Sequence, residues 1–296
     1  MFPIRQIVEK LCIILTIILV YENAYVFYSY LFPYWWHEQR YIQFYFHLII
    51  GHWLLINTVF HYCIAVNTTG FVSNLKLSNE IEPETDRRFT LCKKCSLYRP
   101  PRSHHCRVCK TCVVRYDHHC PWLNNCVSYN NHYHFFLFCI YMTLISAYAL
   151  YFGHYHLQMK LFNQILLRLY DPIWKPFFLV ETLIPYENII HPVAGFLIFY
   201  LFLFNLVTML LVLSLTVWQI TLISKGQTCV EEKIMKENKK QNPTVSYTNT
   251  YDLGFTKNWF QFFEIENGAE LLRILFIPKI FKPKHDGTSW VKNKHI

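Results

Sequence analysis

Charge and glycine are both scarce in this sequence. Of its 296 residues 16% are charged and 8 are glycine, while 53% are hydrophobic and 18% aromatic. Soluble domains carry about 25% charged residues and about 7% Gly, so the composition argues against a freely soluble class. The chain does not open on a short apolar stretch closed by a small-residue cleavage site, so no cleaved signal peptide is expected. Acidic residues are the rarer sign, 19 against 28 Lys and Arg, for a formal charge of +9. The basic residues stand beside apolar runs, which favours a membrane surface over nucleic acid.

Four apolar runs are present, about Leu11 to Phe32, Tyr41 to Val66, Phe135 to His156 and Ala194 to Ile223. Each is long enough for a bilayer-spanning helix, which takes about 20 residues. A fifth stretch, Leu161 to Ile190, is broken by Arg168, Asp171, Pro172, Lys175, Glu181 and Pro185, and reads as a loop packed at the interface. With four spans, 24 Lys and Arg fall on one side and 4 on the other. The positive-inside rule then puts both termini and the segment 67–134 in the cytosol. Asn67-Thr68-Thr69, a formal glycosylation acceptor, would stay bare there. The expected fold is an all-α polytopic membrane protein with four transmembrane helices and a cytosolic cysteine-rich domain between spans two and three. Its parts are residues 1–66 (two spans), 67–134 (cysteine-rich domain), 135–223 (two spans with a lumenal loop) and 224–296 (a cytosolic C-terminal region).

Seven of the eleven cysteines lie between Cys92 and Cys126. On the cytosolic side, where thiols stay reduced, such spacing reads as zinc rather than disulfides. Cys92, Cys95, His105 and Cys112 follow C-x2-C-x9-H-x6-C. Cys106, Cys109, His119 and Cys126 repeat that spacing fourteen residues later. Three thiolates and one imidazole make a tetrahedral structural site, so two interleaved zinc ions are expected. The segment has almost no apolar run of its own and needs the metal to fold.

Six of the seven cysteines are thereby used, and Cys120 is left over. A further copy of the register would need a cysteine where Leu123 stands. His118 is also unassigned, as is Asp117. A free thiol beside a free imidazole is the arrangement of an activated cysteine. In an extended stretch His118 and Cys120 share a face, and Asp117 would fix the His118 tautomer if the chain turns. The competing reading makes Cys120 an alternative ligand or an inert core thiol.

At these residues the chain resembles the DHHC-type protein S-acyltransferases, or palmitoyltransferases. The likeness runs from Cys92-Lys93-Lys94-Cys95 through Arg99-Pro100-Pro101-Arg102-Ser103-His104-His105-Cys106 and Asp117-His118-His119-Cys120-Pro121-Trp122 to Asn125-Cys126, Asn131 and Phe135. It implies that Cys120 takes an acyl group from acyl-CoA and passes it to a substrate cysteine, with His118 as general base and Asp117 orienting it. It implies the same two zinc sets, and the same placing of four spans around the cysteine-rich segment. Thr228-Cys229-Val230-Glu231 is similar to the family's Thr-Thr-x-Glu element, with Cys229 in place of the second Thr. Asn249, Tyr251, Gly254 and Asn258 look like its C-terminal motif, in which Asn258 braces the active-site region. Ser128 stands where a Gly is usual.

The expected co-substrate is palmitoyl-CoA, beside two structural Zn2+ ions, with Lys93, Lys94, Arg99 and Arg102 as candidates for the CoA phosphates. A palmitoyl chain buried among the spans gains about 0.8 kcal/mol per CH2. Tyr141 and Tyr148 are candidates for lining its cavity. The expected partners are substrate proteins with membrane-proximal cysteines and the lipid bilayer, and no nucleic acid. Glu22, costly in a span, is functional, or sits near the lumenal end, or pairs with another helix. His47, His52 and His61 read as packing contacts, and Trp259 to Phe263 with Leu271 to Ile277 as packing on the helices in preference to the alternative of lying on the membrane surface. Lys292-Asn293-Lys294-His295-Ile296 resembles a dilysine retrieval tail and suggests the endoplasmic reticulum or Golgi. The rival readings are a non-catalytic zinc-stabilised membrane scaffold and a channel or transporter. The last lacks paired intramembrane charges or an inverted repeat.

Overall fold

The computed structural model describes residues 2–28, 32–37, 39–75, 88–153, 192–244, 247–281 and 283–293. The Leu161 to Ile190 stretch and the last three residues of the retrieval-like tail lie outside them. The helices are α1 (Phe2–Val26), α2 (Phe32–His37), α3 (Tyr41–Asn67), α4 (His132–Gly153), α5 (Pro192–Ser224), α6 (Cys229–Gln241), α7 (Phe255–Phe263) and α8 (Gly268–Phe276). Between α3 and α4 the described residues form six strands of three residues each: β1 (Thr90–Cys92), β2 (Leu97–Arg99), β3 (His104–Cys106), β4 (Thr111–Val113), β5 (His118–Cys120) and β6 (Asn125–Val127). The molecule is therefore mostly helical rather than all-α. Strands this short do not stand alone in water, and the ligand sets described below tie them together.

Among the described residues three helices are long and apolar enough to cross a membrane: Tyr41–Asn67, His132–Phe152 and Phe202–Ser224. α1 has 25 residues but carries Arg5, Glu9, Lys10 and Glu22, and does not belong to that set.

The chain forms two compact units. Ile18–Leu55 and Tyr141–Leu213 make one, an aromatic-rich helix packing. Phe27, Phe32, Trp35 and Ala149 form its core. Within it His47 stacks on Trp35 at 4.1 Å between ring centroids and hydrogen-bonds Tyr148, while Trp53 meets Tyr141 edge-on at 5.6 Å. Asn205 Nδ2 donates to Asn23 Oδ1 at 3.0 Å. Such side-chain amide bonds substitute for the hydrophobic drive that lipid does not supply. Both Glu22 oxygens are buried without a hydrogen-bond partner among the described residues.

Met1–Ile17, Ile56–Ile140 and Ser214–Ile296 make the other unit, which holds all six strands. Two asparagines fasten its strands to the end of α3, where the last carbonyls have no helical partner. Asn125 Nδ2 lies 2.8 to 3.3 Å from the carbonyls of Ala65, Val66 and Thr68. Asn131 Nδ2 reaches those of Ala65, Thr68 and Cys126 at 2.9 to 3.1 Å. Farther along, His61 and His134 join α3 to α4 through their Nδ1 atoms at 2.8 Å. The Phe281 N–H donates to His134 Nε2 at 3.1 Å, so His134 carries its proton on Nδ1 and is the donor to His61.

Candidate active site and metal centres

The strands pair as three antiparallel hairpins, β1–β2, β3–β4 and β5–β6. Each begins fourteen residues after the last, and each turn holds one residue in the left-handed region at the same register: Ser96, Lys110 and Asn124, with φ of 52°, 54° and 47°. The spacing of the ligands revealed two copies of this unit, whereas the backbone has three. The first strand pair carries Leu91 opposite Tyr98 where the next two carry His105 opposite Cys112 and His119 opposite Cys126. That apolar pair hides the first copy from a search for ligands.

The register explains the interleaving. His105 and Cys112 share a face because they are direct cross-strand partners, while Cys106, one residue on, faces the other way. One hairpin thus serves two sites. Cys92, Cys95, His105 and Cys112 bring one ligand atom each within 4.8 Å of one another, and so do Cys106, Cys109, His119 and Cys126. In the first set Cys95 Sγ is 3.3 Å from Cys112 Sγ, and His105 Nδ1 is 3.7 Å from Cys92 Sγ. In the second, His119 Nδ1 lies 3.4 to 3.8 Å from the sulfurs of Cys106, Cys109 and Cys126. A tetrahedral zinc with bonds of about 2.3 Å to sulfur and about 2.0 Å to nitrogen has edges of roughly 3.5 to 3.8 Å. Both cages fit that ion. Apolar packing is built directly on the ligands, with Val72, Val114 and Tyr129 around Cys92 and Cys112, and Val113 beside Cys106 and Cys126.

The third hairpin departs at one point. Its turn offers Cys120, but the partner position holds Leu123, 1% exposed. His119 is directed to the metal cage, and the residues on either side face away from it. His118 Nδ1 donates to Asp117 Oδ2 at 2.7 Å, and its ring is also in hydrogen-bonding reach of the Cys120 and Cys229 thiols. Tyr62 OH of α3 donates to the Trp122 carbonyl at 3.0 Å, which fixes the turn after Cys120.

Asp117 is fully buried and its oxygens are taken up by protein donors. Oδ1 accepts the Cys229 N–H at 2.8 Å, and Oδ2 accepts Gln219 Nε2 at 3.3 Å beside His118. Gln219 Oε1 in turn meets His132 Nε2 at 2.9 Å. Neither Gln219 nor His132 was visible as a site residue in sequence, because Gln219 lies in an apolar helix far from the cysteine pattern and His132, six residues past Cys126, falls outside the ligand spacing. Burial alone pushes the Asp117 carboxyl up, but His132, the His118 hydrogen bond and the Cys229 N–H outweigh it and hold the group well below the usual range. Burial opposes the His118 cation too, yet its bonds to Asp117, Cys120 and Cys229 raise the imidazole well above its ordinary value. Asp117, His118 and Cys229 also cluster closely enough for a metal, but with the carboxylate oxygens already accepting three hydrogen bonds the group reads as a hydrogen-bonded relay.

The Cys229 N–H is available because α6 begins there. Thr228 is the N-cap: its hydroxyl accepts from the Glu231 N–H, and Glu231 Oε2 accepts from the Thr228 N–H at 2.8 Å, a reciprocal capping box. The positive end of α6 then faces Asp117. Glu231 does a second job. Arg102 donates to both its oxygens at 2.7 Å and to the Gly226 carbonyl at 2.9 Å, with its guanidinium 4.3 Å from the Tyr251 ring centre. Gly226 has φ of +62°, and a Cβ there would stand 2.6 Å from the Tyr251 carbonyl, so only glycine fits. Asn258 Nδ2 donates to the Ser224 carbonyl, the last of α5, at 2.8 Å, and its Oδ1 accepts the Leu253 N–H. Lys93 and Lys94 are exposed, and Arg99 Nε donates to Thr90 Oγ1 at 3.0 Å.

The family model described as DHHC palmitoyltransferase matches residues 85–237, which is over half of the chain and takes in all of these hairpins. The chain belongs to the DHHC palmitoyltransferase family.

Among relatives, palmitoyltransferase ZDHHC16 of Mus musculus is 34% identical over 247 residues, 82% of this chain and 63% of its own length. The Homo sapiens ZDHHC16 is 33% identical, covering 82% and 65%. ZDHHC16A of Danio rerio is 30% identical, covering 82% and 68%. The chain thus spans about two thirds or less of the first two relatives. The two departures from the DHHC pattern have local explanations. Ser128 is accommodated because Gly70 lies opposite it, where a Cβ would be 2.3 Å from the Ser128 hydroxyl. At Cys229 the contact that holds Asp117 comes from the main chain, so the side-chain change leaves it in place.

Proposed function

We propose that this chain is a protein S-acyltransferase that carries a palmitoyl-type group from acyl-CoA on Cys120 to cysteines of substrate proteins. The observation that carries the reading is the Asp117–His118 pair set against a thiol that the zinc register leaves unused. His118 accepts the Cys120 proton, and the thiolate attacks the thioester carbonyl of acyl-CoA. The carbon–sulfur bond to CoA breaks, and the proton passes from His118 to the departing CoA thiolate. In the second half a substrate cysteine gives its proton to His118 and its sulfur attacks the acyl group. Cys120 leaves and recovers that proton. Asp117 holds the His118 tautomer with Nε2 toward the thiol. Cys92, Cys95, His105 and Cys112 would hold one zinc, and Cys106, Cys109, His119 and Cys126 the other, which supplies structural closure rather than chemistry.

Lys93, Lys94 and Arg99 are the groups open to the CoA phosphates, whereas the Arg102 fork is spent on Glu231 and Gly226. Four spans, with α1 as the first, place both termini and residues 67–134 in the cytosol by the distribution of Lys and Arg. The divisions at 1–66, 67–134, 135–223 and 224–296 follow from it. The Lys-rich tail suits the endoplasmic reticulum or Golgi. The names of the relatives support the same activity.

The test is incorporation of a hydroxylamine-labile acyl label from palmitoyl-CoA into the purified chain, beside Cys120→Ser, with zinc measured in both. Label on the unmutated chain alone, at equal zinc, is the expected result. Equal label on both would remove Cys120 as the carrier. Lost zinc in the variant would make Cys120 a ligand.

A further inference from the structure

Glu9 stands outside the segment matched by the family model, in the first half of α1, and is 4% exposed. A carboxylate buried in an apolar helix is costly unless it is paired and hydrogen-bonded. Its Oε1 lies 3.2 Å from His119 Nε2 and accepts from Arg5 Nε at 2.8 Å. His119 presents Nδ1 to three sulfurs of the second cage, so its ring proton belongs on Nε2, the atom facing Glu9. Among the described residues no carboxylate meets the corresponding nitrogen of His105, the imidazole of the first cage.

We propose that Glu9 is the outer-shell carboxylate of the second zinc site: it accepts the His119 Nε2–H, fixes Nδ1 as the ligating atom and clamps α1 to the hairpins. A carboxylate behind a ligating imidazole sets its tautomer and orientation and raises its donor strength, and losing one typically costs 10- to 100-fold in metal affinity. His119 is the direct neighbour of Cys120, so the same clamp holds the strand that presents the thiol. Arg5, on the far side of the carboxylate and half exposed, keeps Glu9 aimed. The proposal rests on the zinc reading of the cages and not on acyl transfer.

The two cages provide their own control. The purified full chain in detergent micelles is challenged with a zinc chelator while free thiols are alkylated, and the cysteines are followed one by one by mass spectrometry. In Glu9→Leu, Cys126 is expected to become reactive about 10- to 100-fold faster than in the unmutated chain, with Cys92 unchanged. Glu9→Gln, which keeps an acceptor oxygen, is expected to fall between the two. Equal rates at Cys126 in all three proteins would overturn the proposal, and so would equal acceleration at Cys92 and Cys126, the mark of general loosening. Fewer than two zinc ions in the unmutated chain would instead bring down the zinc reading beneath it.

Discussion

Two hairpins of this molecule differ in little but their chemistry. Ser103-His104-His105-Cys106 and Asp117-His118-His119-Cys120 occupy the same positions in consecutive copies, with the same strand pairing and the same left-handed turn residue. In the earlier copy Cys109 completes the turn as a second ligand, and its N–H donates to Cys106 Sγ at 3.4 Å. In the later copy Leu123 fills that place, and Cys120 stands outside both candidate ligand clusters. The preceding imidazoles also diverge. Burial lowers His104, and Arg99 adds to it, whereas Asp117 and two thiols raise His118. Among the differences between the two copies, two bear on the proposed roles: Ser103 against Asp117 before the histidines and Cys109 against Leu123 after the cysteine.

The comparison breaks most violently at the shared cysteines. Cys109→Ala removes a ligand from a cage whose zinc contributes on the order of 10 kcal/mol in small metal-folded units, comparable to the whole stability of a domain. Loss of one zinc and loss of cooperative melting are expected, measured by metal analysis and thermal unfolding. Cys120→Ala, at the position in the third hairpin that corresponds to Cys106, is expected to leave both intact. If the two variants behave alike, the third hairpin is a metal site after all.

Asp117→Asn tests the other change. It keeps the shape but withdraws the charge that holds the His118 tautomer, and the acylation rate is expected to fall by about 10²- to 10⁴-fold, the usual worth of general base catalysis. Its pH dependence carries a sign. His118 must be unprotonated to accept from Cys120, so activity rises as pH climbs through its raised pKa. Removing the Asp117 contact lowers that pKa, so the rising limb is expected to move to lower pH while the plateau drops. A limb that stays in place would mean that another group sets it.

How much of this was legible beforehand follows from which contacts are local. The ligand sets and the spare thiol could be read from spacing, because each hairpin is closed by residues a few positions apart. The third copy was hidden, since Leu91 and Tyr98 hold ligand positions without ligand chemistry and only the backbone displays the register. The apolar runs gave the helices, but the start of α1 at Phe2 and its charged first half did not show in hydropathy. Gln219, His132 and Glu9 were out of reach for another reason. Gln219 and Glu9 meet the third hairpin from helices about a hundred residues away in sequence, His132 reaches it through Gln219, and a single polar residue beside an apolar run says nothing about what it faces. Arg102 was misdirected by its charge: beside three other cations it reads as a phosphate contact, and only the fold reveals its carboxylate.

The smallest expected effect is the most discriminating. If the Thr-Cys-x-Glu element supports Asp117 through its main chain, the Cys229 side chain is dispensable while its N–H is not. Cys229→Ser is therefore expected to change acylation by less than about threefold, well under the 1.5–3 kcal/mol of a hydrogen bond to a charged group. Cys229→Pro separates the two contributions cleanly. Residue 229 is the first of α6, a position where proline is tolerated because its N–H has no helical acceptor and its φ is already suitable. The variant keeps the helix and deletes the donor to Asp117 along with the thiol, whose own share the serine variant measures. A fall of about 10- to 100-fold in rate is then expected, equal to that hydrogen bond, with helicity unchanged by circular dichroism. The reverse ranking, with serine costly and proline mild, would show that the thiol itself acts on His118, and the cysteine that departs from the family pattern would then belong to the chemistry rather than to its support.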